Sequence, residues 1–225
     1  MSRIVWDNIG EKIAETGIKN GILYPMTSGV YGTGKAWNGL TSLNEAPTGA
    51  EASPFYADNQ KYLELMSEEE FAGSIGCYTY PDEFKPCIGE KELVSGVSVG
   101  QQRHQPFGLC YRTEVVNDSD GMEYGYKIHL VYNSLAGVSA RDHATTNESP
   151  ELEEMSFDFT STKVPVTGGK PTAHLVIDST KLDEAGQGKL ATLLDLLYGK
   201  DGEVAEAKEP TLPSPDEVAA IFAAS

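Results

Sequence analysis

The chain has 225 residues, of which 40% are hydrophobic, and its 17 basic and 34 acidic residues give a formal charge of -17. Its length favours one domain, and its 23 glycines are typical of a turn-rich β protein. The negative charge repels duplex DNA and anionic lipid, which argues against a DNA-reading or membrane-surface role.

The N-terminal residues predict two short strands around a turn. Apolar residues flank an Asn-Gly pair at 20–21, which is typical of a two-residue hairpin turn. The pair predicts strands near 11–18 and 22–26. A helical stripe through Ile9 and Ile13 is the alternative for the first twenty residues.

The glycine-rich stretch at 29–36 matches the phosphate-loop pattern GxxxxGK. However, Ala36 occupies the position where Ser or Thr would bind Mg²⁺. A phosphate loop must also open a helix, and the Gly and Pro residues that follow do not suit one. We therefore predict a tight loop between strands here.

Residues 40–86 predict three further strands. One begins at Leu40 and leads into a polar loop at 45–54. Short alternation at 61–66 and the segment 71–80 indicate the other two. The segment 81–86 reads as a turn or helix start, which its final proline stops.

The longest signal is a β-hairpin at 106–134, which we take as the centre of an antiparallel sheet. A polar break at 117–121 divides this stretch into two halves. In each half, alternate residues are aromatic or aliphatic. Asn, Asp and Gly in the break supply the positive φ angles that a hairpin loop needs. We predict burial of six residues on the main strands: Leu109, Tyr111, Ile128, Leu130, Phe157 and Phe159.

The C-terminal third predicts a polar loop at 141–150, strands near 151–160 and 172–177, and one helix at 182–198. Four leucines three and four residues apart form the helix's apolar stripe, and Gly199 ends the helix. We take 1–200 as one domain. The remainder, 201–225, reads as an acidic, proline-rich flexible arm whose final amphipathic peptide indicates a docking segment.

The residues that could carry chemistry form no recognisable motif. Three cysteines at 77, 87 and 110 include no CxxC pair and suit reduced thiols. Histidines at 104, 129, 143 and 174 lack metal-ligand spacing, which favours scattered side chains. The candidate nucleophile and base pairs are His104 with Cys110 and Asp142 with His143. The carboxylates of Glu68–Glu70 and Glu153–Glu154 could supply a glycosidase pair, although such runs more often form a solvated face. None has a catalytic pattern, so we predict a protein that is not an enzyme, with no catalytic, cofactor or metal site.

A set of dispersed motifs nevertheless occurs in a defined order. These are WNGLT at 37–41, FYADN at 55–59, FAGS at 71–74, PDEF at 81–84, FGLCYR at 107–112, YKIHLVYN at 126–133, FDFTST at 157–162 and LPSPDEV at 212–218. Together they resemble the major tail protein family, the tail tube subunits of long-tailed, non-contractile bacteriophages. The resemblance spans about 20–222, and the ordered set carries it rather than any one motif.

The resemblance implies a mainly β fold: an antiparallel, barrel-like β-sandwich with one flanking C-terminal helix. It also implies hexameric rings that stack into a tube in the virion tail, after synthesis in the host cytoplasm. Its partners would be further copies of itself and the tape-measure, initiator and terminator proteins, with genome DNA passing through the lumen without specific binding.

No signal peptide or membrane span is predicted, because acidic residues interrupt the N-terminal apolar ones and no apolar run approaches about 20 residues. The alternative functions are a virion-associated carbohydrate- or protein-binding β-sandwich, such as an adhesin, and a glycoside hydrolase.

Overall fold

A computed structural model describes residues 3–141, 143, 145, 152–201 and 207–223. The strands of these residues are β1 Ile13–Thr27, β2 Val30–Tyr31, β3 Lys35–Ala36, β4 Leu40–Glu45, β5 Thr48–Gly49, β6 Ala52–Ala57, β7 Gln60–Met66, β8 Glu69–Cys77, β9 Lys91–Val94, β10 Val97–Val99, β11 Phe107–Asn117, β12 Gly121–Ala136, β13 Met155–Ser161 and β14 His174–Asp178. Helices are α1 Glu184–Leu197 and α2 Pro215–Ala223, with 3₁₀ turns at Asp82–Ile88 and Ser179–Lys181. The predicted loop at 141–150 lies largely outside the described residues.

The central hairpin is formed by β11 and β12, which confirms the prediction for 106–134. The two strands pair antiparallel from Phe107 opposite Ser134 to Asn117 opposite Gly121. At the tip, the backbone N–H of Asp120 donates to Oδ1 of Asn117 at 2.6 Å, and Gly121 has φ 59°. Asn and Gly at these positions therefore close the turn locally.

The predicted hairpin at the Asn-Gly pair is wrong, because β1 runs through it as one strand. β1 pairs with β11 from Ile13 to Pro25, with register breaks on both sides of Lys19. Asn20 adopts a left-handed φ of 51°, but within an irregularity of a continuous strand. The long β11 edge provides pairing partners on both sides of this position, so the Asn-Gly pair distorts the strand instead of reversing it.

The sheet is folded over on itself. Ten strands form it, with the main path in the order β2-β1-β11-β12-β13-β8-β4. The long β12 pairs with β14 through 127–131 and with β13 through 134–136. At the end of the path, β4 lies over β11, since the Tyr111 hydroxyl donates to Glu45 Oε1 at 2.5 Å. Among the described strands, no backbone ladder closes the sheet into a barrel. The predicted mainly β, antiparallel fold is confirmed, and it takes the form of an open sheet folded over on itself.

Two predicted loops contain short strands. The stretch 29–36 has a turn at Gly29, with φ 82°, but it also contains β2 and β3, which both pair with β1. The loop predicted at 45–54 instead contains β5 and the start of β6. Backbone pairing of β5 with the start of β8 creates this structure. The polar side chains there gave no apolar alternation from which to predict it.

All six residues predicted to be buried are buried, but they lie on opposite faces of the sheet. Leu109, Tyr111, Phe157 and Phe159 belong to the core enclosed by the folded sheet. Ile128 and Leu130 belong to a second core, between the sheet and the helices. The central strands are thus covered on both faces, which makes them the most buried part of the chain.

Helix α1 confirms the predicted C-terminal helix. Asp183 caps its start, accepting the backbone N–H of Gly186 at 2.7 Å, and Gly199 follows its end with φ 80°. Leu190, Leu193 and Leu197 are buried against the outer face of the sheet. The apolar stripe therefore attaches the helix to β12 and β14.

The C-terminal segment adds a second helix that the sequence did not predict. Leu212 and Val218 are buried in the same core as α1, and Ile221 and Phe222 pack at its edge. Lys189 on α1 donates from Nζ to the Phe222 carbonyl at 3.0 Å. The described part of the predicted flexible arm therefore docks on its own chain, because α1 and the outer face of the sheet leave an apolar surface for it to cover.

Leu130→Ala is expected to lower the free energy of unfolding by about 2–5 kcal/mol, because Leu130 is fully buried beneath the helices. Urea unfolding followed by circular dichroism measures this change. A loss below about 0.5 kcal/mol is characteristic of a surface position and would contradict the placement.

Candidate assembly surfaces and a histidine cluster

A hairpin formed by β6 and β7 exposes an apolar surface, and among the described strands these two pair only with each other. Every residue of both strands is exposed. Phe55 pairs with Leu63 across the hairpin, and Ser53 pairs with Leu65. Since residues two apart share a face, Phe55, Leu63 and Leu65 form one apolar surface, each with about half of its area exposed. We call this surface the hairpin face.

Two further segments expose apolar side chains. The hairpin of β9 and β10 exposes Leu93, Val94 and Val97. The N-terminal segment exposes Ile4, Val5, Trp6 and Ile9. A two-stranded hairpin alone is marginally stable in water, and grouped exposed apolar residues mark interaction sites. These three segments therefore have the composition of surfaces that bind another protein.

A different site, the histidine cluster, comprises Glu45, His129 and His174. One potential ligand atom from each residue lies within 4.8 Å of the other two. His129 Nδ1 is 3.2 Å from His174 Nε2 and 3.4 Å from Glu45 Oε1. Strands β12 and β14 place both imidazoles on the inner face of the sheet, and β4 brings the carboxylate over them.

Hydrogen bonds to neighbouring strands orient the cluster. Thr113 donates its hydroxyl to Glu15 Oε1 at 2.6 Å, which leaves the Thr113 oxygen to accept from His129 Nε2 at 3.0 Å. The proton of His129 is thereby assigned to Nε2, and the lone pair of Nδ1 faces Glu45 and His174. The Tyr111 ring stacks on His129 at 4.5 Å between centroids, which fixes the plane of the imidazole.

Burial sets the protonation state of the cluster. It lowers the pKa of both His129 and His174, although the nearby carboxylate of Glu45 opposes the shift at each. Both imidazoles are therefore neutral at pH 7 and retain a lone pair.

The structure separates His104 from Cys110, one of the candidate catalytic pairs of the sequence. His104 donates from Nδ1 to the Ala136 carbonyl at 2.8 Å, whereas Cys110 is fully buried on the helix side. Burial raises the pKa of the Cys110 thiol, so it does not provide a thiolate nucleophile at neutral pH. Glu68 pairs with Lys163 at 3.0 Å. Asp142 lies outside the described residues.

All three cysteines are free and buried. The histidine cluster was missed because its two imidazoles lie 45 residues apart in the chain. The alternation of β12 and β14 gives the face of each histidine, but only the register between the strands places them side by side.

Comparison with known proteins gives a structural similarity that is weak. No protein-family model matches the chain. No curated protein matches it either. A chain of a cryo-EM structure titled "Extracellular Contractile Injection System, PVC sheath-tube complex in extended state" is similar at 12% identity and a TM-score of 0.28. The match covers 71% of this chain and 88% of that one.

Within the described residues, neither α-helix is long and apolar enough to cross a bilayer.

Proposed function

We propose that this protein is a structural subunit of a phage tail tube that assembles with copies of itself into stacked hexameric rings. Two independent features support the proposal. The ordered sequence motifs resemble the major tail protein family, and the hairpin face exposes about half the area of its apolar residues in the described part of the chain. The hairpin face is the observation that carries it.

Self-association would stabilise the hairpin for a physical reason. Phe55, Leu63 and Leu65 expose about half of their area in the single chain. Covering them with a neighbouring subunit removes apolar surface from water at about 25 cal/mol per Å². In a ring, every subunit contributes the same surface. Each copy therefore gains the free energy of this apolar burial without a change in its folded sheet.

The proposal includes a conduit role and no enzymatic activity. The formal charge of -17 per chain would weaken contact between tube and DNA phosphates, so genome DNA would pass without specific binding. The proposed location in the virion tail follows from the family resemblance. So do the proposed partners, which are the tape-measure, initiator and terminator proteins. An adhesin of the same fold would use these exposed surfaces for a foreign ligand.

Assembly is tested by electron microscopy and sedimentation velocity of the purified full chain across a wide concentration range. We expect rings or tubes of regular repeat at high concentration, because association depends on mass action. The double variant Leu63→Asp with Leu65→Asp is expected to remain monomeric, since two charges per subunit would be buried in the interface. Circular dichroism should match the wild type, because both positions are exposed.

Met122→Asp is the matched control, since Met122 is an exposed apolar residue at the start of β12. It should assemble as the wild type does. A wild-type chain that stays monomeric at millimolar concentration contradicts self-assembly. Normal assembly of the double variant would remove the hairpin face from the interface. A monomer that binds host cells or cleaves glycans would favour the adhesin or the hydrolase instead.

A further inference from the structure

We propose that Glu45, His129 and His174 form a binding site for one divalent transition-metal ion, with Zn²⁺ the ion that fits best. This inference is independent of the tube proposal, because it concerns the inside of the folded sheet and not its exposed hairpins. Imidazole nitrogen and carboxylate oxygen are the donors that Zn²⁺ prefers beside thiolate.

The distances between donor atoms fit a metal. Two ligands bound to a tetrahedral Zn²⁺ at about 2.0–2.1 Å are roughly 3.3–3.4 Å apart. The distances from His129 Nδ1 to His174 Nε2 and to Glu45 Oε1 are 3.2 and 3.4 Å, close to two edges of such a tetrahedron. All three ligand atoms lie within 4.8 Å of one another, so rotation of the side chains would close the remaining edge around the ion.

The arrangement of protons also suits a cation. Without metal, His174 Nε2–H can donate to His129 Nδ1 across the 3.2 Å separation. When the ion binds, the proton of neutral His174 moves from Nε2 to Nδ1, which lies 3.9 Å from Glu45 Oε2. Both coordinating nitrogens then present lone pairs, and no net proton is released.

The residues around the cluster hold its ligands in place. His129 donates from Nε2 to Thr113, which donates in turn to Glu15, the type of outer hydrogen-bond chain that orients metal-bound histidines. Tyr111 donates to Glu45 Oε1 and holds the carboxylate against the imidazoles. Phe71 stacks on His174 at 4.5 Å between ring centroids, which fixes the second imidazole.

The site can be reached from solvent. A cleft of about 390 Å³ is lined by Glu45 and His174 among other residues. The side chains of Glu45 and His174 are 36% and 16% exposed, whereas that of His129 is 6% exposed. The ion would enter through this cleft, with water as its fourth ligand on the open side.

A bound ion would hold the folded sheet together. Glu45 belongs to β4 at one end of the strand path, while β12 and β14 form the opposite wall. The ion would therefore join strands that no backbone ladder connects directly among the described residues. Binding to the folded state alone stabilises it in proportion to the logarithm of metal concentration.

The test is calorimetric titration of tag-free full-length protein with Zn²⁺ in excess Mg²⁺, which occupies the acidic surface. We expect one saturable site per chain and a melting temperature that rises with Zn²⁺. Co²⁺ should give the visible absorption of a tetrahedral site with nitrogen and oxygen ligands. Absence of saturable binding at neutral pH would overturn the proposal.

Variants locate the site. Glu45→Gln keeps the size of the side chain, and His174→Ala removes one imidazole. Each should weaken Zn²⁺ affinity at least tenfold, since loss of even an outer-shell partner costs roughly 10- to 100-fold. His143→Ala is the control, because His143 is exposed and outside the cluster, and it should bind as the wild type does. Wild-type affinity in folded Glu45→Gln would place the ion elsewhere and overturn the assignment.

Discussion

Deletion of residues 210–225 is expected to lower the free energy of unfolding of the single chain by several kcal/mol, independently of its effect on assembly. The deleted segment contains Leu212 and Val218, which are only 6% and 4% exposed within the core beneath the helices. Each fully buried aliphatic side chain contributes about 1.5–3 kcal/mol. The deletion also uncovers the apolar surface of α1 against which they pack.

Thermal and urea unfolding of the shortened chain measure this loss. Val218→Asp should reproduce much of it, because it places an unpaired charge in the core. Ala219→Asp, at the adjacent exposed position, serves as the matched control and should change stability by less than about 0.5 kcal/mol. A shortened chain as stable as the full one would mean that the C-terminal segment does not belong to the core.

Phe84→Ala is expected to destabilise the chain by about 3–5 kcal/mol, the largest effect of a single truncation that we predict. Phe84 is fully buried in the 3₁₀ turn. Its ring centroid lies 4.6 Å from that of Trp37, 5.3 Å from Phe157 and 5.4 Å from Phe107. The substitution removes the centre of this aromatic group and leaves a cavity between rings that come from separate parts of the chain.

Chemical unfolding monitored by Trp37 fluorescence measures the effect and reports on the same cluster. Phe55→Ala makes the same chemical change on the exposed hairpin, so it should cost less than about 0.5 kcal/mol in the monomer. Equal stability losses for the two variants would show that Phe84 is not the centre of the enclosed core.

Several elements could be predicted because their signals are short-range. The hairpin of β11 and β12 follows from alternation and from the Asn and Gly residues of its turn. Helix α1 follows from a leucine stripe that ends at Gly199. In each case, the residues that determine the structure lie within one continuous stretch of the chain. The resemblance to tail tube subunits also came from residue order alone.

Tertiary structure decided the features that depend on residues distant in the chain. The Asn-Gly pair at 20–21 would turn the chain locally, but pairing with β11 holds β1 extended through it. The C-terminal peptide would be free by itself, but the uncovered apolar surface of α1 binds it. In both cases long-range packing outweighs a local preference worth about 1 kcal/mol or less.

The histidine cluster illustrates the same division most clearly. By itself, the sequence determined a mainly β, strongly acidic chain with alternating strands and a leucine-striped helix that ends at Gly199. Which histidines meet, and that Glu45 lies over them, depended on strand register and on the folding of β4 across β11. Register and sheet curvature arise from hydrogen bonds and apolar burial summed over the whole sheet, so no local stretch of sequence encodes them.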